Sequence, residues 1–184
     1  MTPQQLTALR AAIDATPAWA AFPMTGDGHY DLANLLSGQA NPPFWVWSKR
    51  VEVQAIRAAV IWANLTPADA PDGTQAWANR SLQCQGKQFN LQMIVPMTGT
   101  LDSSDLNLRN GLQDALTGVR SGAGGVAQSA GWTAVQQVLS RRALFIEQIL
   151  ADTTVGNGST RVQSASLVWE GRVTAADVAA ARAL

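Results

Sequence analysis

The sequence predicts a mainly α protein: a single-domain bundle of about six helices, with a short extended segment and a C-terminal arm. Three observations carry that expectation. Helix-start signatures recur along the 184 residues, at Thr2-Pro3, Thr66-Pro67 and Thr174 with Asp177. Apolar residues return at helical spacing in most segments between them. Only Phe44-Trp45-Val46-Trp47 and residues 161–169 have extended character. A chain of this length fits one domain, 1–184, and buries roughly 70% of its unfolded surface.

The elements follow in order. Thr2 at N-cap, Pro3 at the first helical position and Gln5 three residues after the cap open the first helix. Leu6, Leu9 and Ile13 give it an apolar stripe, and Pro17 ends it near Ala15. A short turn follows from Thr16-Pro17 to Phe22. MTGDGHYD reads as a loop, and a short helix is expected around Leu32 to Leu36. In FWVW, strand alternation sends Phe44 and Val46 one way, Trp45 and Trp47 the other. Residues 51–65 predict a central helix, because Val53, Ile56 and Val60 make one stripe and Val51, Ala55, Ala58 and Trp62 another.

Residues 74–93 predict a long helix rich in amides: Gln75, Gln83, Gln85, Gln88, Asn90 and Gln92. Asp102-Ser103-Ser104-Asp105 caps the next, with Leu108, Leu112 and Leu116 on one face and an Asp105–Arg109 pair at i, i+4. Residues 121–125 form a link. From Trp132 to Leu150 one helix is expected, carrying Trp132, Val135, Leu139, Ala143, Ile146 and Leu150 on one side, with Arg142 among them. After the Gly156-Asn157-Gly158-Ser159 loop and the extended 161–169, Thr174 caps a last helix.

Composition narrows the function. Thirteen Lys and Arg balance thirteen Asp and Glu, which argues against a protein that grips DNA by its phosphates. It does not exclude one that surrounds DNA. Cys84 is the single cysteine, so no internal disulfide forms. No apolar run approaches the roughly 20 residues of a membrane span, and MTPQQLTALR has no signal-peptide core. His29 is the only histidine, and no nucleophile motif stands near it. One His and one Cys make no zinc site. Residues 122–125 lack the Gly-Lys-Ser/Thr ending of a phosphate loop. No catalytic, cofactor or metal residue is therefore expected, and the protein reads as no enzyme.

Two features stand out. Arg142 on an apolar stripe either snorkels at the helix edge or, if buried, needs a partner, with Glu170 or Asp177 as candidates. Seven Trp and four Phe are present, and three of these rings crowd into residues 44–47 after two prolines. Either Phe44 and Val46 enter the core and the Trp rings cover its edge, or the rings anchor another subunit.

TPQQLTALRAAIDATPAWAA, FWVW, SSDLNLRNGLQDALTG, SRRALFIEQILA and LVWEGRVTAADVAAARAL, together most of the sequence, resemble small structural proteins of tailed bacteriophages encoded in the head and neck region. The last piece is the most specific, with its aromatic-Glu-Gly turn, capped helix and terminal Ala-Ala-Arg. FWVW is more aromatic than the family pattern. The resemblance implies a head–tail connector adaptor in the virion neck, made in the bacterial host cytoplasm. Its partners would be copies of itself in a ring, the portal protein, the next neck or tail protein, and DNA passing through without sequence-specific binding; no membrane is involved. Phe44, Trp45, Trp47, Arg142, Trp169, Glu170 and Arg182 would serve the interfaces, and residues 161–184 a docking arm. The uncharged amides Gln83, Gln85, Gln88 and Gln92 would line the channel. Within virion proteins the alternative is a head-stabilising or tail-joining role. Outside them it is a soluble helical module that binds a host protein.

Overall fold

A computed structural model describes residues 1–65, 82–119 and 127–184. Among them the protein is mainly α, with ten helices and two small two-stranded sheets. The protein divides into two compact units. One is discontinuous, residues 1–47 with 141–184; the other spans residues 48–140.

The first unit begins with α1 (Pro3–Ala15), which carries a complete capping box: Thr2 accepts from Gln5 N, and the Gln5 side chain accepts from Thr2 N at 2.8 Å. Pro17 stops it, and α2 (Pro17–Ala20) follows. α3 (Gly26–Leu36) starts six residues earlier than expected. Thr25 accepts from Gly28 N as its cap, so Gly-Asp-Gly-His is helix rather than loop. A Cβ at Gly28 would overlap the Pro23 carbonyl, so only glycine lets this first turn sit there. β1 (Trp45–Trp47) pairs with β4 (Ser140–Arg142), and α9 (Phe145–Ile149) and α10 (Ala175–Arg182) complete the unit.

Leu9, Ile13, Leu32, Leu36, Ile146, Val173 and Val178 form the main core of this unit. α10 packs on both α1 and α3. Trp19 meets Phe145 edge to face, centroids 5.8 Å apart, a favoured aromatic geometry. Val46, Ala143, Ala165 and Leu167 form a smaller cluster, with Phe44 against it. The expected helix from Trp132 to Leu150 is not continuous. It stops at Leu139, runs as strand through Arg142, and resumes at Phe145. Of the expected apolar positions, Val135, Leu139, Ala143, Ile146 and Leu150 are buried, while Trp132 is only half-buried. β4 interrupts them because its backbone is claimed by pairing with β1.

The second unit contains β2 (Val51–Glu52), α4 (Val53–Ala59), α5 (Trp62–Leu65), α6 (Leu82–Ile94), β3 (Thr100–Leu101), α7 (Leu106–Leu116) and α8 (Trp132–Leu139). The single helix expected over 51–65 is broken twice. Val51 and Glu52 pair antiparallel with Leu101 and Thr100. The β-branched Val60 turns extended and ends α4. The Trp62 indole then donates to Arg57 O at 2.9 Å, satisfying one of the carbonyls a helix end leaves open. α7 is capped by Asp105, as its sequence suggested. α6 packs on α7 and α5, and α8 on α4 and α7. The first part of the expected 74–93 helix, and the Thr66-Pro67 cap, lie outside the described residues. No helix among the described residues is long and apolar enough to cross a membrane.

Ser103, Arg109 and Cys84 are buried polar groups of this unit that find partners nearby, whereas Gln85 Nε2 is buried without a hydrogen bond among the described residues. Ser103 is fully buried, and its Oγ lies 2.5 Å from Ser48 O and 2.7 Å from Leu139 O. Arg109 is buried and donates to Ser103 O at 2.6 Å. Burial lowers its pKa, while the charges of Asp105 and Asp102 oppose that shift. Cys84 is buried, its Sγ 2.7 Å from Leu65 O, and burial pushes its thiol up, away from the reactive thiolate.

Candidate functional site

The aromatic segment grips a distant loop of its own unit. Trp45 N donates to Gly158 O at 2.8 Å, and Ala143 N donates to Phe44 O at 2.9 Å. The Phe44 ring covers the α-carbon of Gly158, where a Cβ would overlap it. Arg161 stacks its guanidinium over the Trp45 ring at 4.4 Å, within cation–π range. Along the same edge of β1 as Gly158, Ala165 N donates to Trp45 O, and Trp47 N to Ala165 O. Residues 161–169 are therefore only partly extended. Arg161–Gln163 form a 3₁₀ turn, and Ala165 and Ser166 make single bridges.

This geometry sorts the expected interface residues. Phe44 and Trp45 are half-buried against their own subunit. Trp47 is 5% exposed, so it is a core residue rather than an anchor for another subunit. The alternation rule failed because Val46 is buried as well; β1 is covered on both faces. Arg182 is also corrected. It is buried, and its guanidinium donates to Trp19 O at 3.0 Å, Ala20 O at 3.3 Å and Pro23 O at 3.2 Å. A cation over the last carbonyls of α2 satisfies them inside the subunit. Trp169 is half-buried against the main core.

The sequence pointed to Arg142, but its neighbour holds the charge network. Arg142 Nη2 donates to Ala40 O at 2.9 Å, not to Glu170 or Asp177. Arg141 reaches Glu147 with both nitrogens, at 2.7 and 2.8 Å, and Glu170 at 2.8 Å. Glu147 is 1% exposed and also accepts from Leu144 N and Gly171 N. Burial pushes its carboxyl up, but the Arg141 hydrogen bonds and charge, with the two backbone N–H groups, outweigh that and hold it below its ordinary value. The same contacts raise the Arg141 pKa against its own burial. A glutamate within the apolar stripe of Ile146 and Leu150 was the available signal. It was hidden because six residues is the wrong spacing for a helix, and this stretch is not a continuous one.

The amides divide as well. At about 100° per residue on a helix, Gln85, Gln88 and Gln92 share one side of α6, and Gln83 points to the opposite side. Gln83 and Gln92 are exposed; Gln85 and Gln88 are half-buried. The four therefore do not form one row. The exposed positions of α6 and α7 are nevertheless dominated by uncharged groups: Gln83, Asn90, Gln92, Asn107, Asn110 and Gln113, with Phe89 and Met93. Lys87 and Asp114 are the charged exceptions, and they pair with each other.

His29 lies on α3, and its Nε2 is buried without a hydrogen-bond partner. No group of three or more His, Cys, Asp or Glu among the described residues is arranged to hold a metal. No protein-family model, curated protein or solved structure matches the sequence.

Proposed function

We propose that this protein is a non-enzymatic structural subunit of a tailed-phage virion, a head–tail connector adaptor. It would work by assembly as a ring below the portal, around the DNA channel in the neck. The observation that carries this reading is the outer surface of the α6–α7 pair. It presents amides with the apolar Phe89, Met93 and Leu106 among them, its Lys87–Asp114 charges cancel each other, and Arg109 is withdrawn into the core. Such a surface offers DNA hydrogen bonds without fixed cations, so a duplex can pass without being held. In this reading the protein acts as one helical domain. The exposed large apolar side chains left for docking in residues 161–184 are Val162, Val168 and Leu184, beside the exposed charges of Arg161, Glu170 and Arg172, since α10 turns its apolar face inward.

The test mixes the purified protein with purified portal rings and images the product by negative-stain microscopy. A ring of added density at one end of the portal supports the reading. A protein that stays unbound at all ratios overturns it. Association with duplex DNA is expected to be weak and nearly independent of salt, because few counterions are released.

A further inference from the structure

The sequence holds two Asn-Gly pairs, Asn110-Gly111 and Asn157-Gly158. Asn-Gly is the dipeptide most prone to self-deamidation, since glycine leaves the following nitrogen unhindered. Asn110-Gly111 lies within α7. Asn157-Gly158 lies in the loop that the aromatic strand grips, and its surroundings act on the reaction in opposite directions.

The electrophile is polarised. Asn157 is exposed, and its Oδ1 accepts from Ser159 N at 3.0 Å and Ser159 Oγ at 2.7 Å. Two donors on that oxygen stabilise the negative charge that grows there when the amide carbon is attacked. Solvent has access, through a cavity of about 250 Å³ lined by Thr153, Thr154, Val155, Gly156, Asn157 and Gln163. The nucleophile is withheld. Gly158 N donates to Gln163 O at 2.8 Å, Gly158 O accepts from Trp45 N, and the Phe44 ring covers the α-carbon. Gly158 sits at φ +71°, a conformation that glycine adopts readily.

We infer that Asn157 is a latent self-modification site, chemically primed by Ser159 and held unreacted by the grip of Phe44, Trp45 and Gln163 on Gly158. When the loop opens, Gly158 N loses its proton and attacks Cγ of Asn157. The new bond from Gly158 N to Cγ closes a succinimide as the bond from Cγ to Nδ2 breaks, and ammonia leaves with the proton. Water then opens the ring at either carbonyl, giving aspartate or isoaspartate. No oxidant or cofactor takes part. Isoaspartate lengthens the backbone by one methylene, so the Trp45–Gly158 hydrogen bond cannot re-form in register. The added carboxylate also stands four residues from Arg161, where it competes with the Trp45 ring for the guanidinium.

The experiment follows conversion at each asparagine by peptide mapping and mass spectrometry at mildly alkaline pH. It compares the native protein, the same protein unfolded in urea, and the folded variants Arg161→Ala and Phe44→Leu. Unfolded protein is expected to convert at both Asn110 and Asn157. Native protein should convert at Asn157 at least about tenfold more slowly, in proportion to how rarely the loop opens. The two variants should speed Asn157 several-fold and leave Asn110 unchanged, because helix α7 is not touched. Equal rates at Asn157 in native and unfolded protein overturn the inference. So does a slow native rate that neither variant raises, or a rise in which Asn110 keeps pace, which would mean global rather than local opening.

Discussion

Trp47 and Glu147 show how single side chains divide structural from surface roles. With Trp47 5% exposed, Trp47→Ala should cost about 3–5 kcal/mol of folding stability, the ordinary cost of emptying a core site of that size. Urea denaturation measures it, and a cost under about 1 kcal/mol would return Trp47 to the surface. Glu147 predicts a pH dependence. Its folded pKa is depressed, so its contribution is complete above the unfolded value of about 4.3 and is lost as pH falls through the lower folded value. Glu147→Gln should therefore destabilise the protein at neutral pH and flatten the acid limb of stability against pH. Equal acid sensitivity of variant and parent would show that other carboxylates carry that limb.

Among the elements, α10 is the one whose role changes most on seeing the structure. Eight residues are too few for a helix to stand alone. α10 stands because Val178 and Ala181 enter the core, Arg182 caps α2, and Thr174 and Asp177 form a capping box. Thr174→Ala should cost about 1 kcal/mol, read as a fall in melting temperature. Deleting residues 174–184 should unfold the first unit rather than merely prevent docking, since it opens the main core. A soluble truncated protein with native near-ultraviolet circular dichroism would refute this. The caps at Thr2, Asp105 and Thr174 were legible in the sequence because a cap is local chemistry, complete within four residues. The breaks at Val60 and Ser140 were not. Both depend on extended backbone held by distant partners, Ile61 N beside Val60 on Ala130 O and β4 on β1. The site was half legible for the same reason. Phe44, Trp45 and Glu170 stand out by type, but Gly158, Arg161 and Arg141, which give them their roles, lie far along the sequence. Arg182 is not legible from its place in the sequence, because the carbonyls of Trp19, Ala20 and Pro23 that bury it lie about 160 residues away.

At the scale of the whole molecule, the outer residues of α6 and α7 are mostly uncharged, and the first unit holds the network on Arg141 and the loop at Asn157. That unit is assembled from both ends of the sequence, with residues 48–140 between them. This has a consequence for synthesis. Leu9, Ile13, Leu32 and Leu36 leave the ribosome well before Ile146, Val173 and Val178, the residues that cover them. Through that interval α1 and α3 present bare apolar stripes, and contacts across such long separations form slowly. A nascent polypeptide stalled near residue 140 should therefore be sticky, and products released there should pellet, while full-length protein stays in the supernatant. Centrifuging a series of stop-codon truncations reads this directly. Solubility should return only when the stop passes Ala181, because only then has the last piece of the main core been made.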